Sequence, residues 1–166
     1  VGWNDVPQSG GGLYGMKPLS MRLLVESAQE DHRCFSQVGS PCHNDREKDS
    51  IARKVVESLV EGGVLSKDVT DKAVQTILGD TRVKDLIEFS RAVHAEMHAI
   101  LAASRISGDR VVQGKIFVTT YPCHSCARHL VAAGISEIHY IEPYRKSLAT
   151  RLHEDALTES SEAHGK

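Results

Sequence analysis

The sequence predicts an α/β fold containing a parallel pair of strands. Helix-forming and strand-forming segments alternate after residue 94, a rhythm typical of parallel strands joined by right-handed crossovers. Two short runs rich in β-branched and aromatic residues, Lys115–Thr120 and Glu137–Glu142, have the length and composition of strands, and the first is expected to be buried. Helices are predicted around them at His94 to about Ile106, from near Cys123 to Gly134, and at about Ser147 to Leu157.

The region before residue 91 is predicted to be helical after an opening loop rich in Gly and Pro. Apolar residues recur at helical spacing over Ile51–Val60; Asn44 or Asp45 can cap this helix and Gly62-Gly63 ends it. The same spacing predicts three further helices: Leu19–Glu30, Val69–Ile77 before Gly79, and Val83–Ser90 with Thr81 as its cap.

Length and composition suit one globular domain. The 166 residues are 40% hydrophobic and 25% charged. We expect this domain at 1–157, with a helical insertion at 16–90 and a polar tail at 158–166. The opening Val1-Gly2-Trp3-Asn4 resembles the end of a strand, so we expect the chain to be a piece of a longer protein.

Charge and hydropathy narrow the classes of partner. A net charge of -2 gives no general attraction to polyanions, which argues against a large nucleic-acid ligand. No run approaches the roughly 20 apolar residues of a membrane span, so we expect a cytosolic protein without membrane contact. Because cytosolic thiols stay reduced, the four cysteines suggest metal binding or catalysis rather than disulfides.

Two short motifs predict a metal site. His94-Ala-Glu96 stands at a helix start, and Pro122-Cys123-His-Ser-Cys126 follows a predicted strand. A Cys-x-x-Cys pair alone is more often a structural zinc knuckle or a redox pair, and a lone His is more often structural. The combination matches the zinc-deaminase signature, so His94, Cys123 and Cys126 are the predicted zinc ligands.

Three protein ligands would leave the fourth tetrahedral position of zinc to water, which is typical of a catalytic site. Glu96 is the predicted proton carrier, since it lies two residues past His94 and is poorly placed to be a fourth ligand. The run His94-Ala-Glu-Met-His98 differs from the metalloprotease motif, in which Glu directly follows the first His. His98 is therefore interpreted as structural.

The stretch from Arg91 to Gly134 resembles the deoxycytidylate deaminase branch of the cytidine deaminase superfamily. The resemblance implies a three-layer α/β/α fold. The run Trp3-Asn4-Asp-Val-Pro7 also resembles the loop in which that family's Asn contacts the substrate sugar, a role that would fall on Asn4; the alternative is an Asn that caps a turn.

Two departures from that family matter. The chain has no room for the helix and two strands that precede this Asn, and its segment 16–90 is longer and more helical. This insert and the run Glu142–Ala149 are similar to the deaminase domain of bacterial anti-phage dCTP deaminases. That resemblance implies an upstream nucleotide-kinase-like domain and depletion of deoxycytidine nucleotides.

Two weaker sets of residues complete the predicted sites. His32, Cys34, Cys42 and His43 could hold a second, structural zinc, or could be scattered on a surface loop. Arg145 and Lys146, after the second strand, could contact a substrate phosphate while Tyr144 packs on the sugar or base; the alternative is a solvated charged turn.

The predicted function is hydrolytic deamination of dCMP or dCTP to the deoxyuridine nucleotide and ammonia. Deamination of transfer RNA and a non-catalytic zinc module are the alternatives; the acidic charge argues against the first and Glu96 against the second. An open sheet edge and the superfamily resemblance further suggest a homo-oligomer.

Overall fold

The computed structural model describes residues 1–8, 12–15, 33–34, 41–144 and 147–159. The chain divides into two compact units, one formed by Val6–Arg91 and the other by Val1–Asp5 with Ala92–Lys166. The predicted insertion at 16–90 falls within the first unit, while the predicted helix at Leu19–Glu30 lies outside the described residues. No helix in the described part of the chain is long and apolar enough to cross a membrane.

In the described part of the unit Val6–Arg91 there are two α-helices, α1 (His43–Glu61) and α2 (Thr70–Asp80). Both predicted helices are thus present. Their core is formed by Ala52, Val56 and Val74, all fully or almost fully buried. Burial of each larger aliphatic side chain contributes roughly 1.5–3 kcal/mol to stability. Partly buried apolar residues surround this core: Val60, Leu65, Ala73, Ile77 and Leu78.

The start of α1 differs from the prediction. Cys42 is the N-cap residue, so the prediction that Asn44 or Asp45 caps the helix is wrong. The Asn44 side chain instead donates a hydrogen bond to the Leu86 carbonyl oxygen at 3.0 Å. At the other end, Gly62 follows the helix as predicted, and its N–H donates to the Ser58 carbonyl oxygen.

The predicted helix at Val83–Ser90 is wrong. A short 3₁₀ turn spans Arg82–Asp85, and the backbone is extended at Leu86. Thr81 does cap this turn, since its hydroxyl oxygen accepts a hydrogen bond from the Val83 N–H at 3.2 Å. An eight-residue apolar stripe is too short to repay the cost of helix nucleation without strong packing.

The second unit, as far as its residues are described, contains three α-helices and two strands: α3 (Ala95–Ser107), β1 (Lys115–Thr120), α4 (His124–Ala132), β2 (Glu137–Glu142) and α5 (Ala149–Leu152). The strands pair in parallel, with Lys115 opposite Glu137 and Thr120 opposite Glu142. The predicted α/β class, the parallel pairing and the bounds of both strands are confirmed.

The expectation that β1 is buried is wrong. Ile116 and Val118 are half-buried, whereas the intervening Phe117 is 75% exposed. Because successive side chains of a strand point to opposite faces, one face of this sheet is open within the described residues. Phe117 stacks on His139 of the neighbouring strand across this face, with ring centroids 4.8 Å apart.

Helix α4 packs against both α3 and α5. Its buried face carries Cys126, Ala127 and Leu130. The turn after α4 reaches Gly134 at a φ of 73°, where an added Cβ would lie 3.1 Å from a Val112 methyl group, so glycine is required there. Helix α5 is shorter than predicted, because it ends at Leu152 and the backbone leaves the helical region at His153, with φ -130° and ψ 41°.

Candidate metal centre

The start of α3 and the start of α4 bring three metal-binding side chains together. His94 is the N-cap residue of α3 and Cys123 is the N-cap residue of α4, with Cys126 in the first turn of α4. The His94 Nδ1 atom lies 3.4 Å from the sulfur of each cysteine. Within the described residues, this is the one cluster of three potential ligands whose donor atoms all lie within 4.8 Å of one another.

The donor set and its spacing fit zinc. Tetrahedral zinc with Zn–S and Zn–N bonds of ordinary length separates a sulfur from an imidazole nitrogen by about 3.6 Å. The observed separations of 3.4 Å are close to this value. Two thiolates and one imidazole are also a ligand combination that zinc prefers, and they leave one tetrahedral position open.

Negative charge is stabilised at Cys123. A hydrogen bond from the Cys126 thiol, with smaller contributions from His94 and the Cys126 N–H, lowers the pKa of Cys123 to about 4. The same thiol pair raises the pKa of Cys126, and burial adds to that effect. These contacts favour the thiolate form of Cys123, and bound zinc would favour the second thiolate as well.

The same contacts change the pKa of His94. The hydrogen bond to Cys123 raises the pKa of His94, and burial opposes this change. Glu96, half-buried in the first turn of α3, lies near enough to the Cys126 sulfur to add to the increase in the pKa of that thiol. The predicted ligands and the predicted proton carrier therefore lie around one point.

Asn4 lies at the start of α3, where its Oδ1 atom accepts a hydrogen bond from the Ala95 N–H at 2.7 Å. His98 is buried, accepts a hydrogen bond from the Trp3 N–H at 3.2 Å and contacts the Trp3 ring edge-on. These two contacts of His98 are with the N-terminal segment, in line with its interpretation as a structural residue.

The residues predicted to bind the nucleotide phosphate are only partly described. Tyr144 is half-buried, and its carbonyl oxygen accepts a hydrogen bond from the Ser147 N–H at 2.9 Å. Arg145 and Lys146 lie outside the described residues. Sequence reasoning missed Ser147, whose hydroxyl donates to the Pro122 carbonyl oxygen at 2.7 Å directly before Cys123. No sequence signal distinguishes this serine from others in the chain.

The predicted second zinc site involves His32, which lies outside the described residues. Of its other three members, Cys42 precedes α1 as the N-cap residue, and the His43 N–H donates to the Cys34 sulfur at 3.4 Å. Those three described side chains do not form a cluster as tight as that at His94. The second site stays a prediction.

Comparison with known proteins adds the family. The cytidine and deoxycytidylate deaminase zinc-binding region matches residues 20–142. The chain belongs to this family. The predicted resemblance to the superfamily and the predicted cofactor, Zn²⁺, are thereby confirmed, since the His94 cluster also fits zinc. The assignment of roles to single residues stays a proposal.

Three relatives match a shorter part of the chain. ComE operon protein 2 of Bacillus subtilis (strain 168) is 41% identical over 56 residues, which are 34% of this chain and 29% of that protein. The deoxycytidylate deaminase of Enterobacteria phage T2 is 38% identical over 55 residues, which are 33% of this chain and 29% of that enzyme. The corresponding enzyme of phage T4 is 38% identical over 55 residues, 33% of this chain and 28% of its own length. No solved structure matches the chain significantly.

Proposed function

We propose that this chain is a zinc-dependent deaminase that converts a deoxycytidine nucleotide, dCMP or dCTP, into the deoxyuridine nucleotide and ammonia. The observation that carries the proposal is the convergence of His94, Cys123, Cys126 and Glu96 at two helix starts. A purely structural zinc site has four protein ligands, whereas this donor set leaves one position for a reacting molecule.

The three ligands would hold the ion through His94 Nδ1 and the two cysteine sulfurs. Zinc bound there would lower the pKa of a water molecule to about 7, which makes a nucleophile available at neutral pH. The positive ends of α3 and α4 favour the anionic sulfurs that this binding needs.

Glu96 would carry both protons of the reaction. The oxygen of water forms a bond to C4 of the cytosine ring, and the bond from C4 to the amino nitrogen breaks. Glu96 takes the first proton of water to ring nitrogen N3 and the second to the leaving amino group, which departs as ammonia. Water thus supplies every atom that the product gains.

The choice of a free nucleotide is supported by the names of the phage relatives, which are deoxycytidylate deaminases. Phosphate contacts would come from Arg145 beside Tyr144, in the segment that follows β2. Asn4 would contact the sugar through the end of its amide that Ala95 does not use. We further propose that the protein is cytosolic, that it self-associates, and that it takes part in anti-phage nucleotide depletion.

The test is ammonia release by zinc-loaded protein from dCMP, dCTP, deoxycytidine and cytidine, with transfer RNA as a further substrate. We expect release from dCMP or dCTP, and a fall of about 10²–10⁴-fold in the Glu96→Gln variant with zinc retained. Glu57→Gln, an exposed glutamate of α1, is the matched control and should keep the wild-type rate. Activity on transfer RNA alone, or full activity in Glu96→Gln, would overturn the proposal.

A further inference from the structure

Residues 2–5 of the chain contact α3 or the residues just before it. The Asp5 and Val93 backbones form an antiparallel bridge, with the Val93 N–H donating to the Asp5 carbonyl oxygen at 2.7 Å. Gly2 approaches α3 so closely that an added Cβ would collide with the Ala95 carbonyl oxygen. The Trp3 N–H donates a hydrogen bond to His98, which lies one turn further along α3. This segment is therefore packed on the helix that carries Glu96.

The start of α3 needs help from outside the helix. The first N–H groups of a helix have no partner within it, and a short polar side chain at the N-cap position ordinarily supplies one. In α3 that position is held by His94, whose side chain makes no capping hydrogen bond because it faces the cysteine sulfurs. Asn4, which lies 91 residues earlier in the chain, supplies an acceptor to another of these groups, the N–H of Ala95, the first residue of the helix.

We infer that Asn4 is a positioning residue of the metal centre, which fixes the first turn of α3 and through it His94 and Glu96. This inference rests on the proposed function and goes beyond the predicted contact between Asn4 and the sugar. Ala95 lies between the imidazole ligand and the proton carrier, so a shift of its N–H moves both side chains. The amide of Asn4 accepts from the helix with its oxygen and keeps its NH₂ group for a substrate.

Two substitutions separate the acceptor of Asn4 from its donors. Asn4→Ala removes both, whereas Asn4→Asp keeps an oxygen acceptor at a helix start, where a carboxylate is favoured. Asn44→Ala is the matched control, because Asn44 also bonds a backbone group through its side chain but lies in α1, in the other unit.

The readouts are zinc affinity, from competition with a chelator, and the visible absorption of the cobalt-substituted protein, both measured without substrate. We expect Asn4→Ala to weaken zinc binding about tenfold and to change the cobalt spectrum, because groups that orient metal ligands have effects of this size. Asn4→Asp should restore the zinc affinity to within roughly threefold of wild type and should also restore the wild-type cobalt spectrum. Asn44→Ala should alter neither.

Wild-type zinc affinity and cobalt spectrum in Asn4→Ala would overturn the inference. So would an Asn4→Asp variant as defective as Asn4→Ala, since the acceptor would then not be the operative group. Because neither readout uses substrate, an inactive wild-type protein would overturn the proposed function and leave this test readable.

Discussion

The N-cap residues of the two helices that form the metal centre have almost the same backbone dihedral angles, but the two helix starts are capped in different ways. His94 has φ -70° and ψ 157°, and Cys123 has φ -67° and ψ 161°. At α4 the ligand caps its own helix, since the Cys123 sulfur accepts a hydrogen bond from the Cys126 N–H at 3.4 Å. At α3 the acceptor comes from Asn4, on a distant segment.

The difference follows from the chemistry of the two ligands. A thiolate can accept hydrogen bonds while its lone pairs also face a metal, so one cysteine serves both purposes. The Nδ1 atom of His94 has at most one lone pair, and because this atom faces the sulfurs it does not also accept a hydrogen bond from the helix. The α4 half of the site is therefore built from four consecutive residues, while the α3 half depends on long-range packing.

The largest expected effect is a loss of stability in the Gly2→Ala variant, which disturbs the packing on which the α3 half of the site depends. The new methyl group would collide with the Ala95 carbonyl oxygen and the Ala99 nitrogen of α3, and overpacking of this kind costs about 1–3 kcal/mol. Displacement of the segment should also move the emission of Trp3, the single tryptophan, to longer wavelength. Urea unfolding followed by fluorescence measures both effects.

The matched control for Gly2→Ala is Gly79→Ala in α2. An added Cβ at Gly79 meets no atom within 4 Å, and alanine is favoured over glycine in a helix by up to about 1 kcal/mol. This variant should be as stable as wild type or more so. If Gly2→Ala were equally harmless, the close packing of the N-terminal segment on α3 would be refuted.

A smaller effect is expected from Ser147→Ala. The hydroxyl of Ser147 supports the residue before Cys123 through its bond to the Pro122 carbonyl oxygen, and such a bond contributes about 0.5–1.5 kcal/mol. Because α4 caps itself, zinc affinity measured by chelator competition should fall less than in Asn4→Ala. Ser136→Ala, which removes hydroxyl bonds to the Gln113 and Gly114 carbonyls, should leave zinc affinity unchanged. If Ser147→Ala lost as much zinc affinity as Asn4→Ala, the view that local residues determine the start of α4 would be contradicted.

The local half of the site is also the half that the sequence predicts well. The spacing of Cys123 and Cys126 and the bounds of β1 and β2 follow from patterns within a few residues, and the structure reproduces them. The contact between Asn4 and Ala95 spans 91 residues and leaves no periodic signal. The sequence suggested either a sugar contact or a turn cap for Asn4. The sugar contact stays a prediction, and the hydrogen bond to the start of α3 could not be predicted from local patterns.

Two predictions that the structure contradicts, the burial of β1 and the helix at Val83–Ser90, also depend on long-range packing. The apolar composition of β1 predicted burial, but Phe117 is exposed because burial depends on what covers the sheet. The stripe at Val83–Ser90 predicted a helix, but a 3₁₀ turn forms where Asn44 of α1 bonds to Leu86. In both cases the local pattern is compatible with two outcomes, and contacts from elsewhere decide between them.

The central claim is that His94, Cys123 and Cys126 bind zinc and leave one position open. X-ray absorption at the zinc edge tests it most directly, on a Cys34→Ser, Cys42→Ser protein so that this centre dominates the signal. We predict two sulfurs at about 2.3 Å and two lighter atoms at about 2.0–2.1 Å, one from imidazole and one exchangeable. Four sulfurs, a closed set of protein ligands, or no bound zinc would contradict the account.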